Sequence, residues 1–268
     1  MPSLAGVHYL EALPPPADSV RRRGALVLLH AFPLNARMWE PQLALAAHGW
    51  HVVAPHIRGA DGVPDSRPVT SIDDYAGDLI DLLDALHIED AVVCGLSMGG
   101  YLAFALLRRA PTYVRALVLA DTRPQADTPE GLAGRRKMQD LVRAKGPSAV
   151  ADEMIPKLLG ETSRATRPAV VERVRTLTKA NSAESIAGAL EALMSRPDST
   201  PLLATIHVPT LIVVGDEDTV TPPALSEEMH ARIAGSELVR IAQSGHLSSL
   251  ERTDAFNAAL TSFLDHRV

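Results

Sequence analysis

The sequence predicts an α/β fold: a mostly parallel sheet flanked by helices, with one all-helical insert. Apolar runs of strand length alternate with amphipathic helical segments between about 25 and 122 and again after 201, the pattern of parallel strands covered on both faces. Between those stretches, from about 123 to 198, the strand runs vanish and only helical patterns rich in Ala, Glu, Arg and Leu remain. A third observation marks where the chemistry belongs. Val92-Val93-Cys94-Gly95-Leu96-Ser97-Met98-Gly99-Gly100 carries a β-branched run into Gly-x-Ser-x-Gly, and apolar residues of helical period follow from Tyr101 to Leu107. That is the signature of a nucleophile elbow, a serine held on a sharp strand-to-helix turn. The bland reading is a turn whose serine merely starts a helix.

Composition narrows the class. A chain of 268 residues that is 46% hydrophobic buries a sizeable core. The net charge of −6, the pI near 5.9 and the scattered arginines leave no basic stripe for nucleic acid. The single cysteine, Cys94, excludes an intrachain disulfide and reads as a buried small hydrophobe in a reducing compartment. The first residues lack a basic start and an apolar core, and no stretch reaches bilayer-spanning length. A soluble, cytoplasmic protein with a small-molecule substrate and no membrane or nucleic-acid partner is therefore expected.

In chain order, Val7–Leu10 reads as an edge strand, and 13–16 and Arg21–Gly24 as exposed connection. Ala25–Leu29 is an interior strand ending in the loop His30-Ala31-Phe32-Pro33-Leu34-Asn35, with a helix expected from about Met38 to Ala47. The strand His51–Pro55 ends in the glycine-bearing loop His56–Gly62. Ser71-Ile72-Asp73-Asp74 resembles a capping box. It opens a helix with Ile72, Tyr75, Leu79, Leu82, Leu83 and Leu86 inward and Asp74, Asp78, Asp81 and Asp84 on the wet side. Spaced acids of this kind read as a solvated face, and no metal site is expected there.

After the elbow, Val114–Ala120 is a further strand ending in Asp121-Thr122. Helices are expected over about 129–144, 148–159, 168–179 and 182–194. This insert, 123–198, reads as a cap over the carboxyl end of the sheet, with 1–122 and 199–268 forming the core domain. Met138, Met154, Ile155, Leu158, Leu159, Leu190 and Met194 are candidates either for lining a pocket or for holding the helices together. The strand Pro209–Gly215, a helix over 224–233, the strand Leu238–Ile241, the loop through His246 and a last amphipathic helix close the chain.

A serine hydroxyl needs a positioned base, itself oriented by a carboxylate. His246 follows an apolar strand and a glycine, and Asp218 follows the strand that ends at Gly215. Asp216, two residues away, and Asp121, after the preceding strand, are alternatives for the acid. Taken together, His30-Ala31-Phe32-Pro33, Gly95-Leu96-Ser97-Met98-Gly99-Gly100, Gly215-Asp216-Glu217-Asp218 with Pro222, and Ser244-Gly245-His246 span most of the chain. On these residues the chain resembles the α/β-hydrolase superfamily. Met38–Leu43 and Arg196-Pro197-Asp198-Ser199 make it similar, within that superfamily, to small bacterial esterases and 3-oxoadipate enol-lactonase-like hydrolases.

The order Ser97, Asp218, His246 is that of the superfamily, and its spacing after Gly215 favours Asp218 over Asp216. The resemblance implies a cofactor-free and metal-free serine hydrolase of carboxylic esters or lactones. Ser97 would be nucleophile, His246 base and Asp218 orienter, with the backbone N–H groups of Phe32 and Met98 as oxyanion hole. It assigns His30 to shaping the first loop. His207 and His266 read as surface or packing residues. Two departures stand out: Ala31 replaces the usual glycine of the first loop, and His56 stands where the second loop commonly has an acid. Carbon–carbon bond hydrolysis, peracid formation and slow-turnover small-molecule reception would use the same triad.

Overall fold

Alternation of side chains along the strands decides the architecture. In the computed structural model, which describes residues 2–16, 20–63, 65, 67–69 and 71–268, Ala25, Val27 and Leu29 face one apolar core while Leu26 and Leu28 face a second. The same division recurs at Ala91 and Val93 against Val92, Cys94 and Leu96, and at Leu117 and Leu119 against Val118 and Ala120. A strand covered on both faces must be apolar at every position, so these segments appear in the sequence as unbroken hydrophobic runs.

The first part of the chain holds β1 (Ser3–Leu4), β2 (Val7–Ala12), β3 (Gly24–Leu29), a 3-10 segment (Ala36–His48), β4 (Trp50–Pro55) and α1 (Ile72–Ala85). Next come β5 (Ala91–Leu96), α2 (Met98–Arg109) and β6 (Val114–Ala120). The insert consists of α3 (Pro129–Leu158), α4 (Glu161–Thr166), α5 (Pro168–Lys179) and α6 (Ala183–Ser195). The chain then finishes with β7 (Thr210–Gly215), α7 (Pro223–Arg232), β8 (Glu237–Ile241), α8 (Ser248–Glu251) and α9 (Thr253–His266). Spatial order in the sheet is β1-β2-β4-β3-β5-β6-β7-β8. β2 pairs antiparallel with both of its neighbours, β1 and β4, and every other neighbouring pair is parallel. The sheet is thus mostly parallel and flanked by helices, as the alternation predicts.

One core lies between the sheet and α1, α2 and α6; the other lies under the 3-10 segment, α5 and α9. In the second, the rings of Trp39 and Phe256 pack with centroids 6.0 Å apart. α3 reaches both cores because it is broken at Gly146, where φ is 75°, a backbone conformation open to glycine at little cost. Met138 and Val142 before the break join the first core, and Ile155 and Leu158 after it join the second. The two helices expected over 129–144 and 148–159 are therefore one helix with a break between them.

Other details differ from expectation. Val7–Ala12 is second from the edge, with only the two-residue β1 outside it. The helix expected near 38–47 is a 3-10 segment containing Pro41, which has no N–H to give to an α-helical ladder. α4 has no counterpart in the expected elements. Arg23, expected in a solvated loop, donates to Asp265 Oδ1 at 2.6 Å and ties the chain to α9. Asp78, expected on the wet face of α1, is 9% exposed and receives hydrogen bonds from Arg58 and Arg67. The expected start of α1 is present, with the Ser71 N–H donating to Asp74 Oδ2 at 2.9 Å. Among the described residues no helix is long and apolar enough to cross a membrane.

Candidate active site

The parallel strands deliver their loops to one end of the sheet. Ser97 leaves β5, Asp218 leaves β7 and His246 leaves β8, so residues far apart in the chain meet there. At the elbow Ser97 has φ 55° and ψ −111°, a strained conformation that costs about 1–3 kcal/mol and persists only where its surroundings impose it. They do so through the Ser97 N–H, which donates to Ala120 O at 2.9 Å, and the Thr122 hydroxyl, which donates to Ser97 O at 2.8 Å. A Cβ at Gly95 would collide with the Gly99 carbonyl, and one at Gly99 with the Leu29 carbonyl. Both glycines flanking the serine are thus demanded by backbone packed against backbone.

His246 Nε2 lies 2.8 Å from Ser97 Oγ, and His246 Nδ1 lies 2.8 Å from Asp218 Oδ2. All three residues are buried, Ser97 being 8% exposed and His246 1%. Asp218 is well supplied with donors: Oδ1 accepts from the N–H groups of Val220 and Thr221 at 2.8 and 2.9 Å, and Oδ2 accepts from the Thr221 hydroxyl at 2.7 Å. Burial pushes the Asp218 carboxyl up, but the His246 charge and these hydrogen bonds prevail and hold it below its ordinary value. Burial likewise pushes the His246 imidazole down, and the charge and hydrogen bond of Asp218, with the charges of Asp121 and Glu251, reverse this and leave it raised. With Nδ1–H donated to Asp218, Nε2 carries the lone pair that faces the serine hydroxyl.

The two alternative acids go elsewhere. Asp216 receives a hydrogen bond from Arg240 at 2.7 Å on the surface. Asp121 is fully buried and accepts from Gly215 N–H at 2.9 Å and from the Ser248 N–H and hydroxyl at 3.1 and 2.5 Å. Burial and the Asp218 charge push its carboxyl up. It clasps the loops after β7 and β8 without a hydrogen bond to His246.

The N–H groups of Phe32 and Met98 take no partner among the described residues, and both residues are buried. Met98 is the first residue of α2, where backbone donors have no intrahelical acceptor. His30 shapes the first loop by bridging it to the second: its Nδ1 lies 3.1 Å from Ala31 O, and its Nε2 accepts from Ile57 N–H at 3.2 Å. Burial lowers its pKa to about 4, which suits a ring that donates at one nitrogen and accepts at the other. Ala31 sits in the core with its N–H on Met38 Sδ at 3.3 Å. Burial and the His30 charge lower His56 to about 3, and neither of its ring nitrogens has a partner among the described residues. His207 and His266 are on the surface, and Cys94 is buried in β5. Thr221, which supports Asp218, and Glu251, which binds the loop of His246, were missed in the sequence. An acid five residues after the histidine was the available signal for Glu251.

Residues 24–253 match the family model described as alpha/beta hydrolase fold. The chain belongs to the α/β-hydrolase fold family. Among curated members, it is 30% identical to 3-oxoadipate enol-lactonase 2 of Acinetobacter baylyi, over 90% of this chain and 89% of that one. It is also 30% identical to a pimeloyl-[acyl-carrier protein] methyl ester esterase of Neisseria meningitidis serogroup B, over 92% and 94%. Among solved α/β-hydrolase structures, a thermophilic esterase from Thermogutta terrifontis superposes with a TM-score of 0.89 at 33% identity, covering 97% of this chain and 93% of that one. The enol-lactonase from Burkholderia xenovorans gives 0.86 at 28%, covering 97% and 96%. The protein is an enzyme of the hydrolase class, similar throughout its length to ester and lactone hydrolases.

Proposed function

We propose that the enzyme hydrolyses a small carboxylic ester or lactone through an acyl-enzyme on Ser97. The relay from Asp218 Oδ2 to His246 Nδ1 and from His246 Nε2 to Ser97 Oγ, 2.8 Å at each step, carries this reading. Ser97 Oγ attacks the carbonyl carbon while His246 Nε2 takes its proton. His246 returns that proton to the departing alkoxide, then activates a water that releases the acid and restores the serine. Asp218 keeps the imidazole in the productive tautomer and stabilises the imidazolium. The free N–H groups of Phe32 and Met98 are the oxyanion donors. Water is the only co-reactant the sequence needs. The helical insert acts as a cap whose apolar side chains select a small substrate. A cytoplasmic location suits a chain whose one cysteine is buried and unpaired.

The test is a kinetic panel of p-nitrophenyl esters of increasing acyl length and several lactones, run beside Ser97→Ala. Hydrolysis of one class is expected, with kcat falling on the order of 10⁶-fold in the variant. Comparable activity in Ser97→Ala would contradict the mechanism.

A further inference from the structure

The loop that carries His246 is fastened to the helical insert as well as to the sheet. Between α3 and α4 the insert turns a corner at Leu158–Thr162, and the His246 N–H donates to Leu158 O at 3.0 Å. Glu251, 4% exposed, reaches into the same place from α8. Its Oε1 accepts from the N–H groups of Gly245 and Leu247 at 2.9 and 3.2 Å, and its Oε2 accepts from Gly160 N–H at 2.9 Å. One carboxylate thus holds the residues on either side of His246 together with the corner of the insert. The fit is close: a Cβ on Gly160 would stand 2.8 Å from Gly245 N, and one on Gly245 would collide with Gly160 N. From the side of the acid loop, Glu217 accepts from Thr162 N–H at 2.9 Å and from the Thr162 hydroxyl.

We infer that Glu251 and the Leu158–Thr162 corner form a positioning element for His246, so that the insert holds the base in place besides covering the substrate. This rests on the catalytic reading of Ser97 and His246 above. A buried carboxylate with three backbone donors is a strong, directional anchor, and loss of the carboxylate would leave those three buried N–H groups without their acceptor. Small displacements of a base relative to its nucleophile carry large rate penalties. The charges that act on His246 come from Asp218 after β7, Asp121 after β6 and Glu251 in α8, while Ser97 and Thr221 are its uncharged neighbours. Glu251 therefore contributes both reach and charge, and the two separate by substitution.

In the full-length enzyme, Glu251→Gln keeps the length but sets an NH2 group against backbone donors and removes the charge. The expected result is a kcat about 10- to 100-fold lower on a p-nitrophenyl ester, an unchanged KM, and an acid limb of kcat/KM moved to lower pH. Glu251→Asp keeps the charge and loses the reach, so kcat falls while the acid limb stays at the wild-type pH. Hydrogen exchange on the unmodified enzyme supplies a readout that does not depend on either variant folding: the amides of Gly160, Gly245 and Leu247 should open as one cooperative unit. Wild-type kcat and an unmoved limb in Glu251→Gln, or Gly160 exchanging independently of Gly245 and Leu247, would overturn the inference. If either occurs while Ser97→Ala is inactive, the inference alone fails. Activity in Ser97→Ala would overturn the catalytic reading and this inference with it.

Discussion

Gly99 at the elbow and Gly134 in the insert are both helical glycines, yet a Cβ at Gly99 would run into the Leu29 carbonyl and one at Gly134 would meet nothing within 4 Å. The difference separates two ways of building. The turn that carries Ser97 is held largely by backbone against backbone, with Gly95 on Gly99, Gly99 on Leu29, and the Ser97 N–H on the Ala120 carbonyl. Much of the insert instead packs side chain on side chain over the sheet, through residues such as Met138, Val142, Ile155, Val174 and Leu190. Backbone contacts leave no choice of residue, whereas side-chain packing tolerates volume-conserving exchange. Residue choice is therefore tightest at the elbow and looser where the insert packs on side chains.

The largest expected effect within that contrast is on the loop side. Asp218→Asn should lower kcat about 10⁴-fold, because the amide favours the wrong imidazole tautomer. The sign of the pH effect follows from the charges. His246 must be neutral to accept a proton, and Asp218 helps to raise its pKa, so activity is lost as pH falls through that raised value. Removing the carboxylate should move the remaining acid limb of kcat/KM to lower pH, measured with a p-nitrophenyl ester. Stability comes next. Gly99→Ala should destabilise by about 3 kcal/mol, seen as a Tm lower by roughly 6–12 °C. The smallest effect belongs to the insert, where Gly134→Ala should stabilise by ~0.5–1 kcal/mol through helix propensity and leave kcat unchanged. Similar Tm changes at the two glycines would break the contrast.

Much of this was legible before any coordinates. The two-sided sheet was announced by apolar runs, the elbow by Gly-x-Ser-x-Gly between a strand and a helix, and the base by a glycine–histidine pair after the last strand. The acid was legible as a short set of candidates, because strand-end position alone does not say which way a side chain turns. Arg240 draws Asp216 outward, and Ser248 with Gly215 holds Asp121 beneath the loops. Glu251 and Thr221 escaped because their partners include backbone N–H groups or a single neighbouring carboxylate, which form no pattern in a sequence. Asp78 was misread for a related reason. Helical period put it on the wet face of α1, but Arg58 and Arg67, 20 and 11 positions earlier, fold over it.

The central claim is that Ser97, activated by His246, becomes covalently acylated during turnover. Rapid quench of the enzyme with a slowly deacylated p-nitrophenyl ester, followed by peptide mass mapping, tests it most directly. The account predicts one acyl adduct on the Ser97 peptide, formed in step with the first equivalent of p-nitrophenol and absent in Ser97→Ala. Continued turnover with no adduct on Ser97, or with the acyl group on another residue, would contradict it.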